Sequence, residues 1–404
     1  METENNNIEK EWGKEVFDLL SWYEMDRVKN AKVMVVGAGA LGNEVLKNLA
    51  LFGVGTIFIV DFDTIEYSNL TRSVLFRESD ADKGYFKAEV AARKVREINP
   101  NIKVYPIVGR LGSDVGFGIY RKMDVVIGCL DSRLARVQLN RLCMRANIPW
   151  VEGGIENLTG NVRVFKPGEC CYECGLTENA KQNIFQSISC AGVAHRSEKM
   201  GRVPTTPVIA SIIGAVQVQE AMKQIHKEEI QNGVFSTLVG KWFHYEGMHN
   251  KTAVYDARGA WSDDCPSHEM WDNILRIPTL SAGTAIKDAF QIIKDTLDVN
   301  EVEINLRNDK FVDVIINRMD NQRFTPMLPE SRIPDYIDNT YELYTCQRSA
   351  LNQNAYEDIN ADFPYQRLTL KQIGIPHFDV LQVTTEKGMY YVELSADESL
   401  YFPS

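Results

Sequence analysis

The run from Lys32 to Asp61, KVMVVGAGALGNEVLKNLALFGVGTIFIVD, constrains this chain more than any other stretch. It reads as strand, glycine turn, helix and second strand, closing on an acidic residue placed to hold a ribose. Gly37, Gly39 and Gly42 form GxGxxG. The first glycine permits the tight turn, the second lets backbone approach a phosphate, and the third lets helix pack on strand. The helix N-terminus then offers unpaired N–H groups to an anion. Taken alone, such a loop favours NAD or FAD over ATP.

The residues after Asp61 add charge to the same crevice. VDFDTIEYSNLTRSVLF sets Asp61, Asp63, Asn69 and Arg72 at one strand end and the turn that follows it. Ligands of open α/β sheets bind at the carboxyl ends of strands. An asparagine and an arginine beyond the ribose acid point to additional phosphate, which Lys87, opening the next helix, would neutralise as a point charge. A turn with solvated charges is the plainer alternative. Asp131 closes the apolar strand DVVIGCLD, where a carboxylate could hold magnesium beside substrate phosphates or simply cap the next helix. Arg136 and Asn140 share a helical face at i, i+4, suited to phosphate or to orienting Asp131.

Four residues have metal-ligand spacing. CYEC contributes Cys171 and Cys174, and DDCPSH contributes Cys265 and His268, which together predict a closed structural zinc site. Cys170 is a bystander on this reading. Cys190 stands apart in the polar, aperiodic stretch SISCAGVAHRSEKMGRVPTTP, beside His195 and Arg196. An exposed cysteine there suits a nucleophile with a lowered pKa, and a small residue packing a loop is the alternative. Cys129 and Cys143 fall in a core strand and helix, and Cys346 carries no motif.

Composition narrows the class. With 44 Lys+Arg against 55 Asp+Glu the formal charge is −11, which argues against a nucleic-acid surface or an acidic-membrane patch. No run is apolar enough to span a bilayer, and METENNNIEKE lacks the order of a signal peptide, so a cytoplasmic protein is expected. The eight cysteines show no disulfide-framework spacing. Strands alternating with helices predict an α/β fold, a Rossmann-like, mostly parallel sheet with helices on both faces, followed by a smaller C-terminal α/β domain. The expected divisions are an N-terminal helical segment at 1–30, a nucleotide-binding domain at 31–272 that includes a crossover segment at about 177–203, and the C-terminal domain at 273–404. VFSTLV, WFHYEG and TAVYDA read as consecutive antiparallel strands, and FDVLQVTT with GMYYVEL as a hairpin.

In order along the chain, GAGALGNEVLKNLALFGVG, VDFDTIEYSNLTRSVLF, LDSRLARVQLN, CYEC, PTTPVIASIIGAVQVQEAMK and CPSH resemble the landmarks of the ThiF/MoeB superfamily, which contains the ubiquitin-activating enzymes. The resemblance runs from about Ser21 to about His268. It implies ATP-dependent adenylation of the C-terminal glycine of a ubiquitin-like protein. It also implies Asp61 as ribose ligand, Asn69, Arg72 and Lys87 as phosphate contacts, and Asp131 as the magnesium-linked aspartate. The chain departs from the family pattern in placing His268 where a second C-x-x-C would end. It departs again upstream, where EKEWGKEVFDLLSWYEMDR replaces an arginine-rich segment and leaves Lys10, Lys14 and Arg27 as the basic candidates for a trans-acting group.

The variant motifs look closer to activating enzymes of bacterial ubiquitin-like conjugation systems than to cofactor-biosynthetic members. That similarity implies a thioester on Cys190, a conjugating-enzyme partner and a homodimer, with the C-terminal domain recruiting a partner. The alternatives are a sulfur-carrier-protein adenylyltransferase of thiamine or molybdopterin type, an NAD-dependent oxidoreductase and a nucleotide-binding pseudoenzyme.

Overall fold

The computed structural model describes residues 12–189, 205–258, 261–307 and 309–403, with the backbone alone for 185–189. Its largest sheet has eight strands: β1 (Lys32–Val36), β2 (Thr56–Val60), β3 (Lys103–Ile107), β4 (Val125–Gly128), β5 (Trp150–Glu156), β6 (Thr159–Phe165), β7 (Lys241–Glu246) and β8 (Lys251–Asp256). Their order is β3-β2-β1-β4-β5-β6-β7-β8. The first five are parallel, and β6 to β8 run antiparallel to their neighbours. The strand order reverses between β1 and β4, which opens a crevice at their carboxyl ends.

The central strands β1, β2 and β4 are apolar on both sides because both faces are covered there. Val33, Val35, Ile57, Ile59 and Ile127 pack against the helices Ala40–Phe52, Lys87–Ile98 and Pro207–Ile225. That last helix starts where Thr206 accepts from Ile209 N–H and Pro207 fills its first turn. On the other face Met34, Val36, Phe58, Val60 and Val126 meet the helix Arg133–Arg145, the short helix Phe117–Tyr120, and residues from the far end of the chain: Phe378, Val380, Tyr401 and Phe402.

Beyond residue 274 the chain forms β9 (Leu275–Arg276), β10 (Glu303–Asn305), β11 (Phe311–Asn317), β12 (Arg323–Phe324), β13 (Leu328–Pro329), β14 (Leu351–Tyr356), β15 (Asp358–Ile359), β16 (Val380–Thr385) and β17 (Gly388–Glu393). A five-stranded sheet has the order β15-β10-β16-β17-β9, with β9 parallel to β17, and a second sheet is built around β11. The helix Ile286–Leu297 buries Ile286, Ala289, Phe290 and Ile293 in their shared core. The expected β16–β17 hairpin is present and turns at Gly388, whose φ of 129° suits only glycine.

Two local expectations need correction. VFSTLV is not a strand: only Val239 makes an isolated bridge, to Val164, because Glu220 anchors the segment through Leu238 N–H instead. The stretch read as aperiodic from Ser187 opens inside a helix, Glu178–Ser189, and its residues 190–204 lie outside the described residues. Among the described residues no helix is long and apolar enough to cross a membrane.

Candidate functional site: a nucleotide crevice and a paired cysteine knuckle

The glycine turn is closed by sterics at two of its three positions. Gly37 has φ 94°, and a Cβ there would lie 2.4 Å from the Cys129 carbonyl oxygen, in the loop after β4. A Cβ on Gly42 would lie 2.0 Å from the Gly37 oxygen. At Gly39 a Cβ would meet nothing within 4 Å, so the middle glycine faces open space where backbone can approach a ligand. Gly39 is also the N-cap of the helix Ala40–Phe52 and supplies no capping side chain, leaving first-turn N–H groups for an anion.

Asp61, at the end of β2, is nearly buried and accepts from Ala38 N–H at 2.7 Å through Oδ2 and from Asp63 N–H at 2.8 Å through Oδ1. Burial raises its pKa, and the Lys87 charge and these N–H groups oppose the rise. The carboxylate therefore ties the glycine turn to the strand end. Asp63 pairs with Lys87 Nζ at 2.6 Å, and Lys87 N–H donates to the Asp63 carbonyl, so both charges stand at one rim. Asn69 Oδ1 accepts from Glu66 N–H at 3.0 Å, and Arg72 donates to the Ser68 carbonyl at 2.7 Å. Both act locally in the turn, where Arg72 is half-buried.

Asp131 does not close a strand. β4 ends at Gly128, and Asp131 lies exposed in the loop beyond it. Ser132 caps the following helix by accepting from Ala135 N–H, so the cap does not engage the Asp131 carboxylate. Arg136 and Asn140 are both engaged by groups of the protein itself. Arg136 donates to the Leu130 carbonyl at 2.6 Å and pairs with buried Glu152 at 3.0 Å, which holds the loop before Asp131. Asn140 is fully buried beneath the second site, described below. Arg27 pairs within its own chain with Glu229 at 2.8 Å.

One residue absent from the sequence-derived set organises the crevice. Asn43 is fully buried, donates from Nδ2 to the Ala38 and Gly39 carbonyls at 2.7 and 2.9 Å, and accepts from Leu75 N–H at 2.9 Å. It joins the glycine turn to the segment that follows Arg72. An amide on the apolar face of a helix was the signal available in the sequence.

The four metal-type residues do converge. Cys171 Sγ lies 3.6 Å from both Cys174 Sγ and Cys265 Sγ, and Cys174 Sγ lies 3.2 Å from His268 Nε2. All four ligand atoms fall within 4.8 Å of one another. A tetrahedral zinc with sulfur at about 2.3 Å sets its ligands about 3.8 Å apart, so donor set and spacing fit that ion. Burial pushes the Cys265 and Cys171 thiols up and His268 down, which favours their neutral forms until a cation binds.

The cradle is fixed from behind. Asn140 Oδ1 accepts from Tyr172 N–H and Trp150 Nε1, while its Nδ2 donates to Ser267 Oγ at 2.9 Å. Ser267 donates to Glu173, which also takes a two-point bond from Arg141 at 2.9 and 2.7 Å. Trp261 stacks on His268 at 4.1 Å. Cys190, with His195 and Arg196, lies outside the described residues.

Comparison with known proteins agrees with this arrangement. A model described as the ThiF family matches residues 6–267. The SAMP-activating enzyme E1 of Haloferax volcanii is 32% identical over 240 residues, 59% of this chain and 81% of that protein. The molybdopterin-synthase adenylyltransferase of Salmonella typhimurium is 35% identical over 200 residues, 49% of this chain and 74% of that one. SUMO-activating enzyme subunit 2 of Dictyostelium discoideum is 36% identical over 161 residues, 39% of this chain but only 24% of that protein's length. Among solved structures, E. coli MccB crystallised with ATP aligns at TM-score 0.50 and 26% identity, over 66% of this chain and 75% of its own. With its glycine turn, switch-point crevice and paired knuckles all lying within or beside the matched span, the chain belongs to the ThiF family.

Proposed function

We propose that this protein uses ATP to adenylate the C-terminal glycine carboxylate of a ubiquitin-like protein. The observation that carries the reading is the crevice itself. The glycine turn, the Asp63–Lys87 pair and an exposed Asp131 that its helix cap does not engage all sit where β1, β2 and β4 end. Relatives named as activating enzymes or adenylyltransferases favour adenylation over hydride transfer. On this reading Gly37, Gly39 and Gly42 with the helix N-terminus cradle phosphate, Asp61 sits at the ribose, and Asn69, Arg72 and Lys87 contact phosphate. Asp131 would hold magnesium, whose charge would offset that of the phosphates. The glycine carboxylate oxygen attacks the α-phosphorus, the bond to the bridging oxygen of the β-phosphate breaks, and pyrophosphate leaves. The nucleophile is already ionised, so positioning and charge neutralisation do more than a base would.

Cys171, Cys174, Cys265 and His268 would hold a structural zinc that fixes the two knuckles to each other. Cys190 would then attack the acyl adenylate through its thiolate, releasing AMP and forming a thioester for transfer to a conjugating enzyme, in a homodimeric assembly. Sulfur transfer is the second reading, favoured by the similarity to molybdopterin-synthase adenylyltransferase.

ATP–pyrophosphate exchange that depends on a partner ending in glycine tests the first step, and exchange that survives Asp131→Ala would refute the assigned chemistry. A thiol-sensitive adduct that disappears in Cys190→Ala and passes to a conjugating enzyme selects conjugation. A persulfide at that cysteine selects sulfur transfer.

A further inference from the structure

The loop between β3 and the short helix Phe117–Tyr120 forms one wall of the crevice, yet most of what holds it comes from the other end of the chain. β3 lies one strand beyond β2 on the side away from β1, so a loop leaving its carboxyl end stands past Asp61, away from the phosphate cradle. This is the nucleoside side of such a crevice. There the Arg110 guanidinium lies 5.2 Å above the ring of Phe62, the half-exposed residue between Asp61 and Asp63.

Arg110 is held in a tight turn. Its N–H donates to Asp114 Oδ2 at 2.7 Å, and Asp114 N–H returns a bond to the Arg110 carbonyl at 3.0 Å. A Cβ on Gly109 would lie 2.4 Å from the Asp114 Cβ, so the turn closes on itself. The other carboxylate oxygen of Asp114 accepts from Arg332 at 2.7 Å, across 218 residues of sequence. Three residues further on, Phe117 N–H donates to Asp379 Oδ1 at 2.8 Å and Gly118 N–H to the Phe378 carbonyl at 2.9 Å. Asp379 is itself paired with Arg307. The segment beyond residue 300 thus clamps both halves of this wall.

We propose that Arg332 is a positioning residue for nucleotide binding: through Asp114 it sets the turn that presents Arg110 and Phe62 to the nucleoside. This deepens the ATP reading above and rests on it. The Arg332–Asp114 pair is partly solvent-exposed, so its loss costs the fold little. The nucleoside end should register the loss while the phosphate cradle, built on Gly37 to Gly42, does not.

The test is calorimetric titration of the full-length protein with ATP and, separately, with inorganic tripolyphosphate. Arg332→Ala should weaken ATP by about fivefold and leave tripolyphosphate within about twofold, and Arg332→Lys, which keeps a charge for Asp114, should restore most of the ATP affinity. Unchanged ATP affinity in Arg332→Ala overturns the proposal, as does parallel weakening of both ligands, which would mark a merely structural role. A wild-type chain that binds no ATP overturns the nucleotide reading and this proposal together. A wild type that binds ATP alongside an indifferent Arg332→Ala overturns this proposal alone.

Discussion

The cysteine knuckle and the nucleotide crevice differ in how far each is finished without a ligand. In the knuckle four ligand atoms already lie within 4.8 Å, backed by Asn140, Ser267, Glu173 and Arg141. In the crevice the backbone is fixed by Asn43 and Asp61, while Asp131 is exposed to solvent and half-buried Arg72 bonds locally to the Ser68 carbonyl. A structural metal site gains by being closed and rigid, whereas a site that binds and releases substrates keeps charged groups free to reorient. The difference teaches that burial and bonding separate the two proposed roles more clearly than residue type does.

Removing a knuckle ligand should give the largest effect on stability. Cys265→Ser is expected to abolish zinc retention, read as metal per chain by plasma mass spectrometry, and to lower Tm by roughly 10 °C. A stable, metal-free variant would erase the contrast. Asp131→Ala should do the reverse, cutting pyrophosphate exchange by about a hundredfold while shifting Tm by no more than about 1 °C. Asn43→Leu lies between the two. It strands the Leu75 N–H and two turn carbonyls, so a loss of about 2 kcal/mol in chemical denaturation should accompany weaker ATP binding.

The smallest effect belongs to Glu398. Burial raises its pKa, but Lys122 and Arg276 more than reverse this and hold it below the usual carboxylate range. A depressed pKa means stability present above the unfolded value and lost as pH falls through the folded one. Because these partners are part-exposed, the increment is about 0.5 kcal/mol. It should be visible as a slightly shallower acid limb of the Tm profile in Glu398→Gln.

Much of the first sheet was legible because β1, β2 and β4 are apolar runs bounded by turn signals, and the helices between them keep a 3.6-residue period. The knuckle was legible because metal ligation demands residue types at short spacing. The facing of Asn140 was not. Its spacing from Arg136 does place both on related faces of one helix, but nothing local says that this side meets Tyr172 and Ser267 rather than the crevice. The helix Glu178–Ser189 escaped because a solvated helix lacks a strong apolar stripe. The clamp on the β3 loop escaped for another reason. Phe117 and Asp379 lie 262 residues apart, and hydrogen bonds of that range leave no periodic trace.

Tyr401 and Phe402 rest against Phe58 of β2, with ring centroids at 5.9 and 5.6 Å. During synthesis, one side of the eight-stranded sheet therefore stays without part of its cover until the ribosome has added the last of these rings. At about 10 residues per second, that is roughly half a minute after β2 is made. Over that interval a strip of Met, Val and Phe side chains stands open to other nascent chains. A chaperone holding the first half of the protein would have its reason there, in a core whose two halves are made at opposite ends of translation.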